Sequence, residues 1–455
     1  MQRLKLVIIG AGSAMFTRGL VADLILTGQP WLLALVDIDE NALSVAAGLS
    51  RRMVQAKNAD IIVQESLERR DLLPGADVVV TTVGVGGRRA WEADVFIPRR
   101  YGFYQPVGDT VMAGGISRAL RMAPAMVAIA RDVVALCPQA HFVNYANPMT
   151  VNCWAMRRAT GAAVVGLCHG VMHVERDLAR YVGVPPSEVT SLAAGVNHLT
   201  WLFDLHWRGR DMWPLLRARY AQERGQPFDR DLLDLPSQPT PAGAKHWHPS
   251  DSPFTWSLFE KYGAYPAVHD RHVTEFFPEH FPHGSYYGKT LGIDAFSFEA
   301  TIAQGDRIFA EMEAQAKGLA RLDEQIFQRA AGEHEQLLDI MASMAGDERR
   351  IFSANLPNAG AVPNLPPDAI VELPAAATAS GFRSLSVPDF PEPLAEIILR
   401  RLESQELTVQ AALTGDRALV VEALLADGGV RERGTAEALA DDLIREQRQY
   451  LPQFA

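Results

Sequence analysis

Leu4-Lys5-Leu6-Val7-Ile8-Ile9-Gly10-Ala11-Gly12-Ser13 is the stretch on which the fold turns. Its near-continuous apolar run reads as a strand buried on both faces, the pattern of a parallel sheet. Two glycines close it, and a helical pattern follows from about Met15 to Leu26. Strand, glycine turn and helix in that order suit the pyrophosphate of a dinucleotide. Glycine lets the backbone approach closely, and a helix N-terminus offers free N–H groups. The candidate contacts are Gly10, Gly12 and Ser13, with Met15 standing where a third glycine is usual. A second apolar strand, Leu32 to Val36, ends at Asp37. A carboxylate there accepts hydrogen bonds from ribose hydroxyls and disfavours a 2′-phosphate, which points to NAD. Asp39 reads as the cap of the next helix, about Glu40 to Ala56.

Further strands are expected at Ile61–Val63 and Ala76–Val83. This alternation implies an α/β fold, a doubly wound parallel sheet of Rossmann type. Gly84, Gly86 and Gly87 stand where the fourth strand would meet the cofactor. Residues 88–115 read as loop and turn, carrying Asp109-Thr110 near Gly114-Gly115. A helix over Met122 to Leu136 and a strand over His141–Tyr145 lead to Asn147-Pro148. Asn147 there either binds a sugar hydroxyl or the nicotinamide ribose, or stabilises a turn before proline. The next strand runs into Cys168.

The character changes after Val184-Pro185-Pro186. Val189–Val196 and Leu199–Trp207 alternate as antiparallel strands do. Residues 224–254, rich in Pro, Asp and Ser, read as an irregular excursion or lid. Asp294 to Met344 is mostly helical in pattern, Ile351–Leu356 and Ala369–Leu373 are strand-like, and the chain is helical again from about Pro393. The expected domains are a nucleotide-binding one over 1–190 and a mixed α+β one over 191–455.

The 455 residues carry a formal charge of −11, which argues against a general nucleic-acid binder. Cys137, Cys153 and Cys168 make no disulfide framework and fit a reducing compartment. No apolar span reaches the roughly 20 residues of a membrane helix, and the start lacks the features of a signal peptide. A cytoplasmic protein is expected.

Cys168 with His169, and His198 thirty residues on, could serve a divalent transition metal, although an inert buried cysteine is the commoner case. His246-Trp247-His248 has the form of a ligand pair but lies in the Pro-rich excursion. Asp270-Arg271-His272 before Glu275-Phe276-Phe277-Pro278 reads either as a site or as a surface salt-bridge segment. Tyr262 and Tyr265 read as core or rim residues.

Taken together these residues resemble glycoside hydrolase family 4, glycosidases that depend on NAD and a divalent metal and share the lactate/malate dehydrogenase fold. The resemblance spans the chain. It rests on Gly10-Ala11-Gly12-Ser13 with Phe16, Leu35-Val36-Asp37-Ile38-Asp39, Asp109-Thr110, Asn144-Tyr145-Ala146-Asn147-Pro148-Met149, Gly166-Leu167-Cys168-His169-Gly170 and Gly195-Val196-Asn197-His198. Ala354-Asn355-Leu356-Pro357-Asn358 and Val371-Glu372-Leu373-Pro374 also fit. This NAD-dependent family is an exception to two-carboxylate glycoside hydrolysis. The resemblance implies a redox–elimination–addition route. NAD oxidises sugar C3, a metal, usually manganese, stabilises the enediolate, and a base takes the C2 proton. The aglycone leaves C1, water adds, and C3 is reduced again. It further implies Cys168 and His198 as metal ligands, His169 and Asn147 on the sugar, and Asp109 as the acid. Asp270 is the expected base, with His269 and Tyr265 as alternatives. Cys-His in place of Cys-Asp or Cys-Asn points away from phosphorylated sugars, toward α-glucosides, α-galactosides or α-uronides. Arg271 is placed to pair a uronate or to orient the base. A homodimer or homotetramer is usual in such a family. The competing expectation is an NAD-dependent 2-hydroxy-acid dehydrogenase of lactate/malate type.

Overall fold

The structure is a computed structural model that describes residues 3–223, 247–327 and 335–455. Six parallel strands form its centre: β1 (Leu4–Ile9), β2 (Trp31–Val36), β3 (Ile61–Ser66), β4 (Val78–Thr81), β5 (His141–Asn144) and β6 (Val165–Gly166). Their order is β3-β2-β1-β4-β5-β6. The order reverses between β1 and β4, and such a reversal opens a crevice beyond the carboxyl ends of the strands. Helices α1 (Thr17–Leu26) and α2 (Glu40–Ala56) cross between the first three strands. Asp39 caps α2 by accepting the Ala42 N–H.

The sheet continues past β6. Strand Arg350–Pro357 pairs antiparallel with β6, and Ile370–Thr378 pairs antiparallel with Arg350–Pro357. Then follow β7 (Val189–Val196), β8 (Leu199–Trp207) and Tyr265–Ala267. Strands from before and after residue 190 therefore share one sheet. Helix Glu392–Thr414 packs against helices Met112–Leu136 and Met149–Thr160.

The region 88–115, expected as loop and turn, is largely helical. One helix spans Gly87–Arg100, and the next begins at Met112 rather than Met122. Two tertiary effects explain this. Asp94 of the first helix is buried in a two-pronged ion pair with Arg121 of the second. Gly114 and Gly115, poor helix formers by propensity, sit where the preceding loop comes close: a Cβ on Gly115 would lie 2.3 Å from the Thr110 carbonyl carbon. The strand Gly381–Ser384, which returns along Ile370–Thr378, was also not anticipated. Most of the 224–254 excursion, with His246, lies outside the described residues. His248 is described, and its ring accepts the Ser250 N–H at the start of a short turn. No described helix is long and apolar enough to cross a membrane.

Candidate active site

The β1–α1 turn packs its glycine backbone tightly against the neighbouring strands. Gly10 has φ 91°, and a Cβ there would come within 2.8 Å of the Thr82 backbone. Gly10 and Ala11 N–H both donate to the Val36 carbonyl, and Gly12 N–H donates to Asp37 Oδ2 at 2.8 Å. Asp37 Oδ1 accepts from Asp39 N–H at 3.0 Å. The acid at the end of β2 is thus locked to the glycine turn, presenting its edge toward the cleft. Helix α1 begins at the same turn, where Phe16 N–H donates to Ser13 Oγ at 3.3 Å. Ser13, Gly84 and Gly86 complete this wall. The cradle fits a dinucleotide.

The same cleft, about 1310 Å³, continues to Asp109, Asn147, Cys168, His169, His198 and Arg271. The two-residue turn between β7 and β8 presents His198, whose φ of 68° lies in the left-handed region. A strained residue of this kind persists only where surrounding structure holds it. Here the holder is Glu372, a buried carboxyl that accepts from Asn197 Nδ2, Ser353 Oγ and Asn355 Nδ2. The motif residues near 355 and 372 therefore act by fixing the hairpin that carries His198.

His198 Nδ1 lies 2.8 Å from Thr110 Oγ1, and the Thr110 hydroxyl donates to Asp109 Oδ1 at 2.7 Å. In that arrangement Nδ1 carries the hydrogen and Nε2 keeps its lone pair for a cation. His272 stands beside it, ring centroids 4.1 Å apart, with its Nδ1 buried and without a partner. One donor atom each from Asp109, His198 and His272 lies within 4.8 Å of the others. Burial lowers both imidazoles, more so His272, where His198 adds to the effect. Burial opposes the Asp109 charge, but His198, His272, Arg118 and the Thr110 hydroxyl outweigh it and hold the carboxyl low. Neutral imidazoles and an ionised carboxylate are what a divalent transition metal requires.

This set differs from the expected one. Cys168 lines the same cleft, with its Sγ accepting the Gly170 N–H at 3.4 Å, but it is not among the three clustered donors. Asp109, expected as an acid, sits in the cluster as an ionised group. Asn147 Nδ2 donates to Asp109 Oδ2 at 3.0 Å, leaving Asn147 Oδ1 buried without a partner. His169 lines the cleft with its ring 4.4 Å from that of His173. Arg271 lines it too.

Asp270 does not reach the cleft. It is 0 % exposed and accepts from Phe254 N, Thr255 N, Thr255 Oγ1 and Tyr286 OH. It ties helix Pro253–Tyr262 to the 270 segment. Tyr265 is likewise buried, packed among Trp256, Phe259 and Trp213. His269 does line the cleft. The sequence reading missed His272, Thr110, Arg118 and Glu275 as parts of the site. The signals available were Asp109-Thr110 and the Asp270-Arg271-His272 triple ahead of Glu275, and neither said which side chains face inward.

Glu275 holds the loop that carries Asp109, accepting Val107 N–H at 2.7 Å and Gly108 N–H at 2.8 Å. Burial pushes its carboxyl up to about 8, against the pull of those two N–H groups. The unfolded carboxyl titrates near ~4.3. The folded state thus binds this proton more tightly. The stability from Glu275 is complete below the unfolded value and is lost as pH rises through about 8. In Glu275→Gln the fall of Tm between acid and mildly alkaline pH is expected to be shallower than in the wild type. The difference is on the order of 5 kcal/mol at most. Parallel Tm–pH curves would rule this out.

Two family profiles match: Family 4 glycosyl hydrolase over residues 5–184 and the Family 4 glycosyl hydrolase C-terminal domain over residues 193–430. An α-galactosidase of Rhizobium meliloti is 29% identical, covering 100% of this chain and 90% of that protein. An α-galacturonidase of Bacillus subtilis is 30% identical, covering 98% of each. A crystal structure of a 6-phospho-α-glucosidase from gut microorganisms, in complex with NAD and Mn²⁺, superposes with a TM-score of 0.84 at 19% identity over the full length of both chains.

Proposed function

The chain belongs to the family 4 glycosyl hydrolases, and from that premise we propose that it cleaves an unphosphorylated α-hexuronide with the help of NAD and manganese. One observation carries the reading: a glycine cradle for a dinucleotide and a three-donor cation cluster open into a single cleft. A 2-hydroxy-acid dehydrogenase has no use for such a cluster, and family membership replaces that alternative.

Gly10, Gly12, Ser13 and Gly84 would hold the cofactor phosphates and ribose, with Asp37 on the adenosine ribose hydroxyls. Asp109, His198 and His272 would hold the cation, with Cys168 at its side. When bound, the nicotinamide accepts and returns a hydride at sugar C3, and the cation polarises the neighbouring sugar oxygens as a Lewis acid. Asn147 Oδ1 and His169 are the groups that would hold sugar hydroxyls. Asn147 also steadies Asp109.

Arg271 supports a uronide over a neutral hexoside. Its Nη2 donates to Thr301 Oγ1 at 2.8 Å, its Nε is buried without an acceptor, and among the described residues it makes no ion pair. A buried guanidinium edge with no acceptor is costly, and a carboxylate at sugar C6 would satisfy it. The B. subtilis relative is named for such a substrate. The three cysteines are buried and none is in a disulfide, which suits a cytoplasmic enzyme. A homodimer or homotetramer goes with this reading.

The test is a pair of p-nitrophenyl substrates, α-galacturonide and α-galactoside, with and without NAD and manganese. Turnover is expected to need both additions, release no net NADH, and favour the uronide by roughly 10²-fold or more. Arg271→Gln should remove that preference. Equal turnover of the two substrates would reject the uronide. Stoichiometric NADH from a hydroxy acid would reject the glycosidase mechanism.

A further inference from the structure

We infer that Arg118 sets a fixed positive charge beside the nicotinamide half of the cofactor and so favours the reduced form over the oxidised form on the protein. This rests on the reading of the cleft as an NAD site and adds a residue that biases the bound couple.

The sheet places Arg118 in that half. A dinucleotide lies across the switch point of a doubly wound sheet, one nucleotide on each side. Asp37, just past β2, marks the adenosine side. Gly84, beyond β4, and Asn147, beyond β5, stand on the other side. Arg118 projects from helix Met112–Leu136 between these two. Its Nε donates to the Asn147 carbonyl at 3.0 Å, and a Cβ on Gly84 would lie 3.8 Å from its Nη2. The guanidinium lies over the Trp91 ring, 5.7 Å from the centroid. Trp91 is held in turn by donating from Nε1 to the Val107 carbonyl at 2.7 Å.

One edge and one face of the guanidinium are thus pinned, and the far edge is free. Among the described residues Nη1 and Nη2 make no hydrogen bond or ion pair. Arg118 lines the cleft and is only half-buried, and neither nitrogen is enclosed. The two carboxylates that act on it across space are engaged elsewhere. Asp94 is paired with Arg121, and Asp109 accepts from Thr110 and Asn147 in the donor cluster. An arginine keeps its charge in such surroundings, and a partly buried charge is screened less than a surface one.

The oxidised nicotinamide ring is a cation and the reduced ring is neutral. A guanidinium without a counterion of its own repels the first and not the second. The cofactor phosphates carry the same charge in both states and drop out of the difference. Arg118 therefore draws the bound couple toward the form that holds the hydride taken from sugar C3. Charges several ångströms apart at an effective dielectric of about 20 change the ratio of the two affinities by roughly 10-fold or more. Tenfold corresponds to about 30 mV for a two-electron couple.

The experiment titrates the full-length protein, without sugar, with NAD⁺ and with NADH, each by calorimetry. In Arg118→Gln the ratio of the Kd for NAD⁺ to the Kd for NADH should fall by roughly 10-fold. Arg118→Met, which keeps the packing on Trp91, carries the same comparison if the glutamine variant does not fold. Arg118→Lys keeps the charge and should hold the wild-type ratio to within about threefold. A lysine variant that shifts as far as the uncharged ones would assign the effect to shape and overturn the inference. Equal weakening of both forms would put Arg118 on the cofactor phosphates. Unchanged affinities with a raised KM for p-nitrophenyl α-galacturonide would put it on the sugar carboxylate. Either result overturns the inference and leaves the NAD site standing. A wild type that binds neither form would remove the NAD reading itself, and this inference with it.

Discussion

His198→Ala should lose manganese-dependent turnover by on the order of 10³-fold while binding NAD as the wild type does, since a Lewis-acid contribution of several kcal/mol goes with the cation. The reason is geometric. The orientation of His198 is fixed by one contact: its Nδ1 is tied to Thr110, leaving Nε2 as the donor. The checking measurement is bound manganese per chain, read by the paramagnetic signal of free Mn²⁺, beside NAD affinity. Retention of one manganese per chain in His198→Ala would exclude it as a ligand. His272→Ala and Cys168→Ser, measured in the same way, separate the clustered donors from the thiol beside them. His198 also occupies a left-handed turn position, where alanine costs roughly 1–2 kcal/mol. His198→Asn controls for that, because asparagine tolerates the conformation. Metal loss with near-normal Tm in the asparagine variant assigns the effect to coordination.

Gly12→Ala should raise the Kd for NAD by about two orders of magnitude and leave manganese binding intact. A Cβ at Gly12 would lie 2.5 Å from Ala42 Cβ and 3.0 Å from Asp37 Oδ2. Ala42 is on the first turn of α2, and Asp37 both accepts the Gly12 N–H and would face the ribose. Relief of the clash moves the carboxylate from where the cofactor needs it. Adding Ala42→Gly should restore part of the affinity, which calorimetric titration with NAD would show. Unchanged affinity in Gly12→Ala alone would mean that the turn does not approach the cofactor.

The nucleotide-binding half was legible because its signals are local. A buried strand, two glycines, a helix and an acid at the end of the next strand all fall between Leu4 and Asp37. Strand–helix alternation then implies a parallel sheet with right-handed crossovers. Helix Gly87–Arg100 was not legible, because its stability depends on Asp94 meeting Arg121. The glycines at 114 and 115 misled for the same reason: they answer to a neighbouring loop, not to a turn of their own.

The sequence by itself carried the family, and it named the glycine turn and Cys168, His169 and His198 as site candidates. Each of these is carried by residue type at short spacing, where backbone geometry leaves few alternatives. Only the tertiary structure decided which side chains meet. It brought His272 and Asp109 to His198 and turned Asp270 into the protein to hold a helix. It also set His269 in the cleft wall, tied to Asp177. Neighbouring residues on a short, irregular segment point in directions set by packing partners far away in the chain. In residues 265–272 those partners are Phe254, Tyr286, Asp177 and Thr301, and no spacing rule encodes them.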